Sequence, residues 1–152
     1  MRALSDILTP GRTLCRTPGV SKKRLFETIA GTISADQESL PTKEIFDHLL
    51  AREKLGSTGL GDGIAIPHCR IDQLAAPIGI LITLDHPLAF DAPDDKPVDL
   101  IFALLVPQEA NQQHLDMLAE IARHFSQADF CASLRAARDD RSLYEAACTA
   151  AN

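Results

Sequence analysis

The sequence predicts an α/β protein of three layers, an α/β/α sandwich with a mixed β-sheet in the middle. Two segments with helical periodicity precede a block of three strand-like segments, and three more helical segments follow it. Helices on both sides of a strand block are available to cover both faces of a sheet. The chain has 152 residues, of which 45% are hydrophobic and 24% charged, a globular composition. At this length we expect one domain over residues 1–152.

The first part of the chain predicts one short strand and two helices. Residues 13–16 lie between two Pro-Gly pairs and predict the strand. Ser21 is a candidate N-cap of the first helix. The second helix is expected to begin near Pro41 and to end by Gly56. The apolar residues at helical spacing are Leu25, Phe26, Ile29 and Ile33 in the first helix and Ile45, Phe46, Leu49 and Leu50 in the second.

The middle of the chain predicts a glycine-rich loop and three strands. Residues 56–63 carry four glycines and indicate a loop. Residues 64–66 form a short apolar run, residues 78–84 are rich in β-branched side chains, and residues 98–106 are apolar enough for a central strand.

Three helices are predicted after the strands. Asn111 is a candidate N-cap of the first, and Asp139 or Asp140 precedes the last. The apolar positions that define them are Leu115, Leu118, Ile121, Ala122 and Phe125, then Phe130 and Leu134, then residues 143–148.

Composition and charge exclude several classes of function. The formal net charge is −6 and the pI about 5.3, and the chain has six Phe, one Tyr and no Trp, which argues against nucleic-acid binding. The longest uncharged stretch, residues 73–84, is too short to span a membrane. An acidic residue near the N-terminus argues against a signal peptide. Four scattered cysteines indicate reduced thiols and a cytoplasmic protein.

His68 is the most informative of the five histidines. The short strand before it leads to the sheet edge, and Pro67 stiffens that approach. The glycine-rich segment leaves room for a bulky anion or another protein, although it lacks the ending of a phosphate-binding P-loop and precedes a strand. The alternative is a loop histidine that only hydrogen-bonds the backbone.

Two other side chains have both a functional and a structural interpretation. His114 opens a long helix, where free N–H groups and the helix dipole favour anions, but taken alone it is more simply an exposed residue of the first turn. Arg52 ends the second helix before the glycine-rich segment. It suits a phosphate group, or it satisfies the helix-terminal carbonyls.

The remaining titratable groups predict no further site. His48, His86 and His124 are expected to have no functional role, and His86 is expected to lie in a turn before Pro87. No close-spaced ligand pair indicates a metal site. Cys69 next to His68 is a possible nucleophile, but it has no local signature and is more simply inert.

Two segments carry a resemblance to a known family. Residues 52–68, Arg-Glu-Lys-Leu-Gly-Ser-Thr-Gly-Leu-Gly-Asp-Gly-Ile-Ala-Ile-Pro-His, resemble the active-site signature of phosphotransferase system IIA domains of the fructose/mannitol type, particularly their nitrogen-regulatory branch. Residues 97–107, followed by His114, Leu115 and Leu118, resemble that family's second block. The resemblance covers nearly the whole chain.

The resemblance implies a phosphoryl carrier with the family's α/β/α fold. His68 matches the histidine that is phosphorylated on its tele nitrogen, His114 the second active-site histidine, and Arg52 the arginine that stabilises the phosphate charge. No cofactor or metal is implied. Two departures are Cys69, where many relatives have Gly, and Asp62, where Asn is common and where a negative charge would tune phosphate affinity.

The resemblance also implies partners. The phosphate would come from a histidine-phosphorylated carrier of the HPr type, in this branch NPr, which enzyme I-Ntr charges from phosphoenolpyruvate. Regulatory targets would include potassium transport proteins or sensor kinases. The alternatives are a fructose or mannitol IIA component that passes phosphate to a IIB domain, a non-catalytic binding module, and a cysteine hydrolase.

Overall fold

In the computed structural model, which describes residues 4–109 and 111–150, five α-helices cover the two faces of a six-stranded sheet. Two short 3-10 helices, Leu4–Asp6 and Pro10–Arg12, precede the first strand. The strands are β1 (Thr13–Thr17), β2 (Gly59–Gly61), β3 (Ile64–Ala65), β4 (His68–Ile71), β5 (Ile78–Leu88) and β6 (Val98–Pro107), and the helices are α1 (Lys22–Asp36), α2 (Thr42–Leu55), α3 (Gln112–Phe125), α4 (Ala128–Ala136) and α5 (Asp140–Ala150).

The sheet is mixed and is organised around β6. Along the order β1-β5-β6-β3-β2, β1 is parallel to β5, β5 is antiparallel to β6, β6 is parallel to β3, and β3 is antiparallel to β2. β4 is also parallel to β6 and continues the line of β3, because Ile64 pairs with Leu100 and His68 with Leu104. Within the described residues β4 pairs with β6 alone, so it forms an edge of the sheet.

Side-chain alternation along the strands builds two cores. On β6, Ile101, Ala103 and Leu105 pack in the core covered by α1 and α2. Leu100, Phe102 and Leu104 pack in the core covered by α3, α4 and α5. Because successive strand residues point to opposite faces, one apolar strand supplies both cores. The predicted three-layer α/β fold with a mixed sheet is confirmed.

The predicted helices are all present, and their caps have the expected chemistry. The Ser21 side chain accepts a hydrogen bond from the Arg24 N–H at the start of α1. The Asn111 side chain accepts one from the Gln113 N–H at the start of α3. Phe46 and Leu50 are only partly buried, and Leu115 is exposed.

Three expectations about the strands were wrong. The glycine-rich segment is not loop throughout, because β2 lies within it and pairs with β3. A Cβ on Gly59 would lie 2.8 Å from the Cβ of Ala92, so glycine allows this strand to pack closely. β4 was not expected at all, and β5 extends to Leu88, so His86 lies in a strand and not in a turn.

In the described ranges, each helix is too short or too polar to cross a membrane.

Candidate functional site

A cleft of about 580 Å³ runs along β4, between α2 and the N-terminal half of α3. We call it the histidine cleft because three histidines and two arginines line it: His48, His68, His114, Arg52 and Arg70. The structure therefore brings together the three residues singled out for function, His68, His114 and Arg52.

His68 is the first residue of β4, not a loop residue as the sequence indicated. The Leu104 N–H donates to the Pro67 carbonyl at 2.9 Å, which ties the residue before His68 to the central strand. The Nδ1 atom of His68 lies 2.8 Å from the Ile66 carbonyl oxygen. Because a carbonyl oxygen only accepts, Nδ1 carries the proton and Nε2 keeps its lone pair.

The surroundings of His68 favour its neutral form. Burial is the main cause that lowers its pKa from the usual value of 6.5, and the positive charge of Arg52 lowers it as well. The Ile66 carbonyl and the negative charge of Glu53 act in the opposite direction without reversing the shift. Near neutral pH, His68 is therefore an uncharged imidazole with a nucleophilic Nε2.

His114 is oriented by the N-terminus of α3. The Asn111 N–H donates to Nδ1 of His114 at 3.3 Å, which completes a capping box with the Asn111 side chain. In the neutral ring the proton is then on Nε2, so His114 is able to donate a hydrogen bond from that atom. A donor in the first turn of a helix suits a negatively charged group.

Arg52 lies at the end of α2 and satisfies a carbonyl there. It lines the histidine cleft, and its Nη1 donates to the Gly56 carbonyl at 2.8 Å. The bond holds the guanidinium at the end of α2, next to the glycine-rich segment. The arginine is thus fixed beside the cleft by a helix-terminal carbonyl.

Comparison with known proteins identifies the family. Residues 6–147 match the family described as "Phosphoenolpyruvate-dependent sugar phosphotransferase system, EIIA 2". The chain belongs to this family. It is 48% identical over 145 residues to the nitrogen regulatory protein of Pseudomonas aeruginosa, covering 95% of this chain and 94% of the relative.

Solved structures agree with the fold of this IIA chain. The crystal structure of nitrogen regulatory protein IIA-Ntr from Neisseria meningitidis superposes with a TM-score of 0.87 at 40% identity, covering 94% of this chain and 97% of that one. The crystal structure of IIA mannitol from Escherichia coli gives a TM-score of 0.74 at 15% identity, covering 91% and 97%, and shows the shared fold. The resemblance seen in the sequence motifs is confirmed.

The IIA chain also contains a buried carboxylate that sequence reasoning missed. Glu53 is buried and accepts hydrogen bonds from Lys22 Nζ at 2.9 Å, Thr58 N at 3.1 Å and Thr58 Oγ1 at 2.7 Å. Lys22 also donates to the Phe90 carbonyl and lies 4.4 Å from the centre of the Phe90 ring. This network ties α1 and α2 to the glycine-rich segment that precedes His68.

A second network holds the β2–β3 hairpin. Arg135 of α4 donates to the Asp62 carbonyl at 2.8 Å and pairs with Asp99 at 3.0 Å, and the Asp62 N–H donates to Asp94 at 2.9 Å. The φ of Asp62 is 57°, a left-handed conformation that Asn and Asp adopt more readily than most residues. Asp62 lies in the hairpin turn and does not line the cleft.

Cys69 does not have the properties of a nucleophile. Its side chain faces the core on the other side of β4, and burial raises its pKa to about 12. The thiol is therefore protonated near neutral pH, which disfavours the cysteine hydrolase. Among residues 4–109 and 111–150, no group of three or more His, Cys, Asp or Glu is placed to hold a metal ion.

The three histidines for which no functional role was predicted lie in different surroundings. His86 is exposed beside Asp85, at 3.1 Å. His124 is buried at the end of α3; its Nε2 makes no hydrogen bond within the described residues and lies 3.7 Å from a carboxylate oxygen of Glu120. His48 lines the histidine cleft, a position that was not predicted.

Proposed function

We propose that the protein is a phosphoryl carrier of the nitrogen-related phosphotransferase system and that Nε2 of His68 accepts the phosphoryl group. The observation that carries the proposal is the hydrogen bond from Nδ1 to the Ile66 carbonyl. It leaves a nucleophilic lone pair on Nε2 in a cleft that also holds Arg52 and His114. We also propose that residues 1–152 form one IIA domain.

The reaction is a transfer between two imidazoles. The Nε2 lone pair of His68 attacks phosphorus in line with the donor nitrogen, a new N–P bond forms, and the old one breaks with its electron pair returning to the donor ring. The proton of His68 stays on Nδ1, which keeps donating to the Ile66 carbonyl. No atom other than the phosphoryl group changes place, so positioning and charge stabilisation are what the protein supplies.

Arg52 and His114 would stabilise the charge on the transferred phosphoryl group. The guanidinium of Arg52 offers a planar pair of donors that suits phosphate oxygens. His114 offers its Nε2–H, and the N-terminus of α3 adds a favourable dipole. These groups are in place before the donor arrives, which avoids reorganisation during transfer.

The donor in this proposal is a histidine-phosphorylated carrier of the HPr type, NPr, which enzyme I-Ntr charges from phosphoenolpyruvate in the cytoplasm. The names of the nitrogen regulatory relatives support this branch. A phosphohistidine adds about two negative charges and strong acceptors to the cleft. The phosphorylated and free forms would therefore bind regulatory partners differently, with potassium transport proteins or sensor kinases as the targets.

The experiment is phosphorylation from labelled phosphoenolpyruvate through enzyme I-Ntr and NPr. The parent protein takes label, the His68→Ala variant takes none, and the His86→Ala variant, changed at an exposed histidine outside the cleft, behaves as the parent. Labelling of His68→Ala at the parent level would show that His68 is not the acceptor. Circular dichroism confirms that the variants are folded.

A further inference from the structure

The histidine cleft contains more arginine and histidine side chains than phosphoryl transfer uses. The chain has 21 acidic and 15 basic residues, yet none of the described residues that line the cleft is Asp or Glu. Two arginines and three histidines line it, and the transfer described above involves only Arg52, His68 and His114. Arg70 and His48 remain without a role.

Arg70 and His48 each lie next to a residue of the transfer site, one on the strand and one on the helix. Arg70 lies two residues after His68 on β4, so it is on the same face of the strand, about 7 Å farther along. Cys69 between them points into the core. His48 lies one turn before Arg52 on α2, on the same helix face and about 6 Å away.

The guanidinium of Arg70 is available to a ligand. Its side chain is exposed, and in the described part of the chain it makes no ion pair or hydrogen bond. By contrast, Arg52 is bound to the Gly56 carbonyl and Arg135 to Asp99. An unpaired arginine in an acid-free cleft favours a negatively charged group.

Apart from Gln108, the remaining residues that line the cleft are apolar, and several of them are partly or largely exposed. Leu55 is 84% exposed and Leu115 is 55% exposed, on opposite walls of the cleft. Ala51, Val106 and Leu118 extend the same apolar surface. A volume of about 580 Å³ is in the range of small-molecule sites, which combine apolar walls with a few polar groups.

We propose that the cleft binds a small organic anion, a phosphate monoester with an apolar body, whose phosphate contacts Arg70 and His48. The apolar body lies against Leu55 and Leu115. The bound anion occupies the space in front of His68 and slows phosphoryl transfer. Binding itself is independent of transfer, whereas this effect on transfer rests on the proposed function.

Phenyl phosphate is the probe, with inorganic phosphate and phenol as its two halves. Calorimetry gives the affinity of the unphosphorylated full chain, and 15N NMR locates the site. We expect phenyl phosphate to shift the amide signals of β4 and α2 and to bind at least about tenfold more tightly than either half. If phenol binds as tightly as phenyl phosphate, the site does not need an anion. If inorganic phosphate binds as tightly as phenyl phosphate, the site does not need an apolar body. Either result would overturn the proposal.

The variants are Arg70→Gln and His48→Gln, and the matched control is Arg24→Gln, which changes an exposed arginine of α1. Loss of a charge-assisted hydrogen bond weakens phenyl phosphate binding at least about tenfold in Arg70→Gln, and loss of the single His48 hydrogen bond weakens it about threefold in His48→Gln. Arg24→Gln binds as the parent does. Parent affinity in both cleft variants, or equal weakening in Arg24→Gln, would overturn the proposal.

A further variant separates this proposal from the transfer function. His68→Gln removes the acceptor but leaves Arg70 and His48, so phenyl phosphate still binds within about threefold of the parent affinity. If the parent accepts phosphate but binds no phenyl phosphate, only the anion site is refuted. If the parent binds phenyl phosphate but accepts no phosphate, the binding proposal stands and the transfer function is refuted.

Discussion

Replacing Glu53 with alanine is expected to destabilise the protein strongly, although Glu53 lies between two charged residues on a helix. The substitution removes the partner of Lys22 and leaves the N–H and hydroxyl of Thr58 without their acceptors. Breaking a buried ion pair from one side costs about 3–5 kcal/mol. Because 22% of the Lys22 side chain is exposed, we expect the lower end, about 3 kcal/mol.

Thermal and urea unfolding measure this effect. For a chain of this size, about 3 kcal/mol corresponds to a fall in Tm of about 6–12 °C. The matched control is Asp47→Ala, which breaks the exposed Lys43–Asp47 pair on the same helix and changes Tm by less than about 2 °C. If Glu53→Ala and Asp47→Ala unfold at the same temperature, the buried network does not stabilise the segment that leads to His68.

Three further results are expected. His114→Ala accepts phosphate on His68 about 100-fold more slowly, because a donor to the phosphoryl oxygens is lost; equal rates would remove His114 from the mechanism. Because the pKa of His68 is lowered below 6.5, the acceptor is neutral above pH 6.5 and the transfer rate does not change with pH there. The rate falls only when the pH drops below this value. With a donor that is stable over the range, a loss of rate that already begins above pH 6.5 would contradict this. Cys69, whose pKa is raised to about 12, resists iodoacetamide near neutral pH in the folded protein and reacts after unfolding in urea; modification of the folded protein would show that the thiol is accessible.

The helices and the long strands were predictable because each carries its own signal. Ser21 and Asn111 cap helices with apolar faces, and the apolar run of β6 is long enough to fill two cores. β2 was not predictable, because its Gly-Leu-Gly sequence has no strand preference and its pairing depends on close packing against Ala92.

The site was predictable in part. His68 and Arg52 belong to a long recognisable motif. The strand β4, by contrast, has the sequence His-Cys-Arg-Ile, in which the residues that face the cleft are polar. These polar residues hide the apolar pattern by which a strand is predicted. Glu53 between Arg52 and Lys54 has the local pattern of a solvated helix, and only the fold shows that it is buried. The position of His48 carried a usable signal, because it lies four residues before Arg52 on the same helix face.

The atom that carries the phosphate tests the central claim most directly. Intact-mass analysis after incubation with phosphorylated NPr, followed by peptide mapping and 31P and 15N NMR under alkaline conditions, identifies the residue and the nitrogen. The hydrogen bond from Nδ1 to the Ile66 carbonyl predicts one phosphoryl group, on Nε2 of His68. Phosphate on Nδ1 of His68, on His48 or on His114, or no phosphate at all, would contradict it.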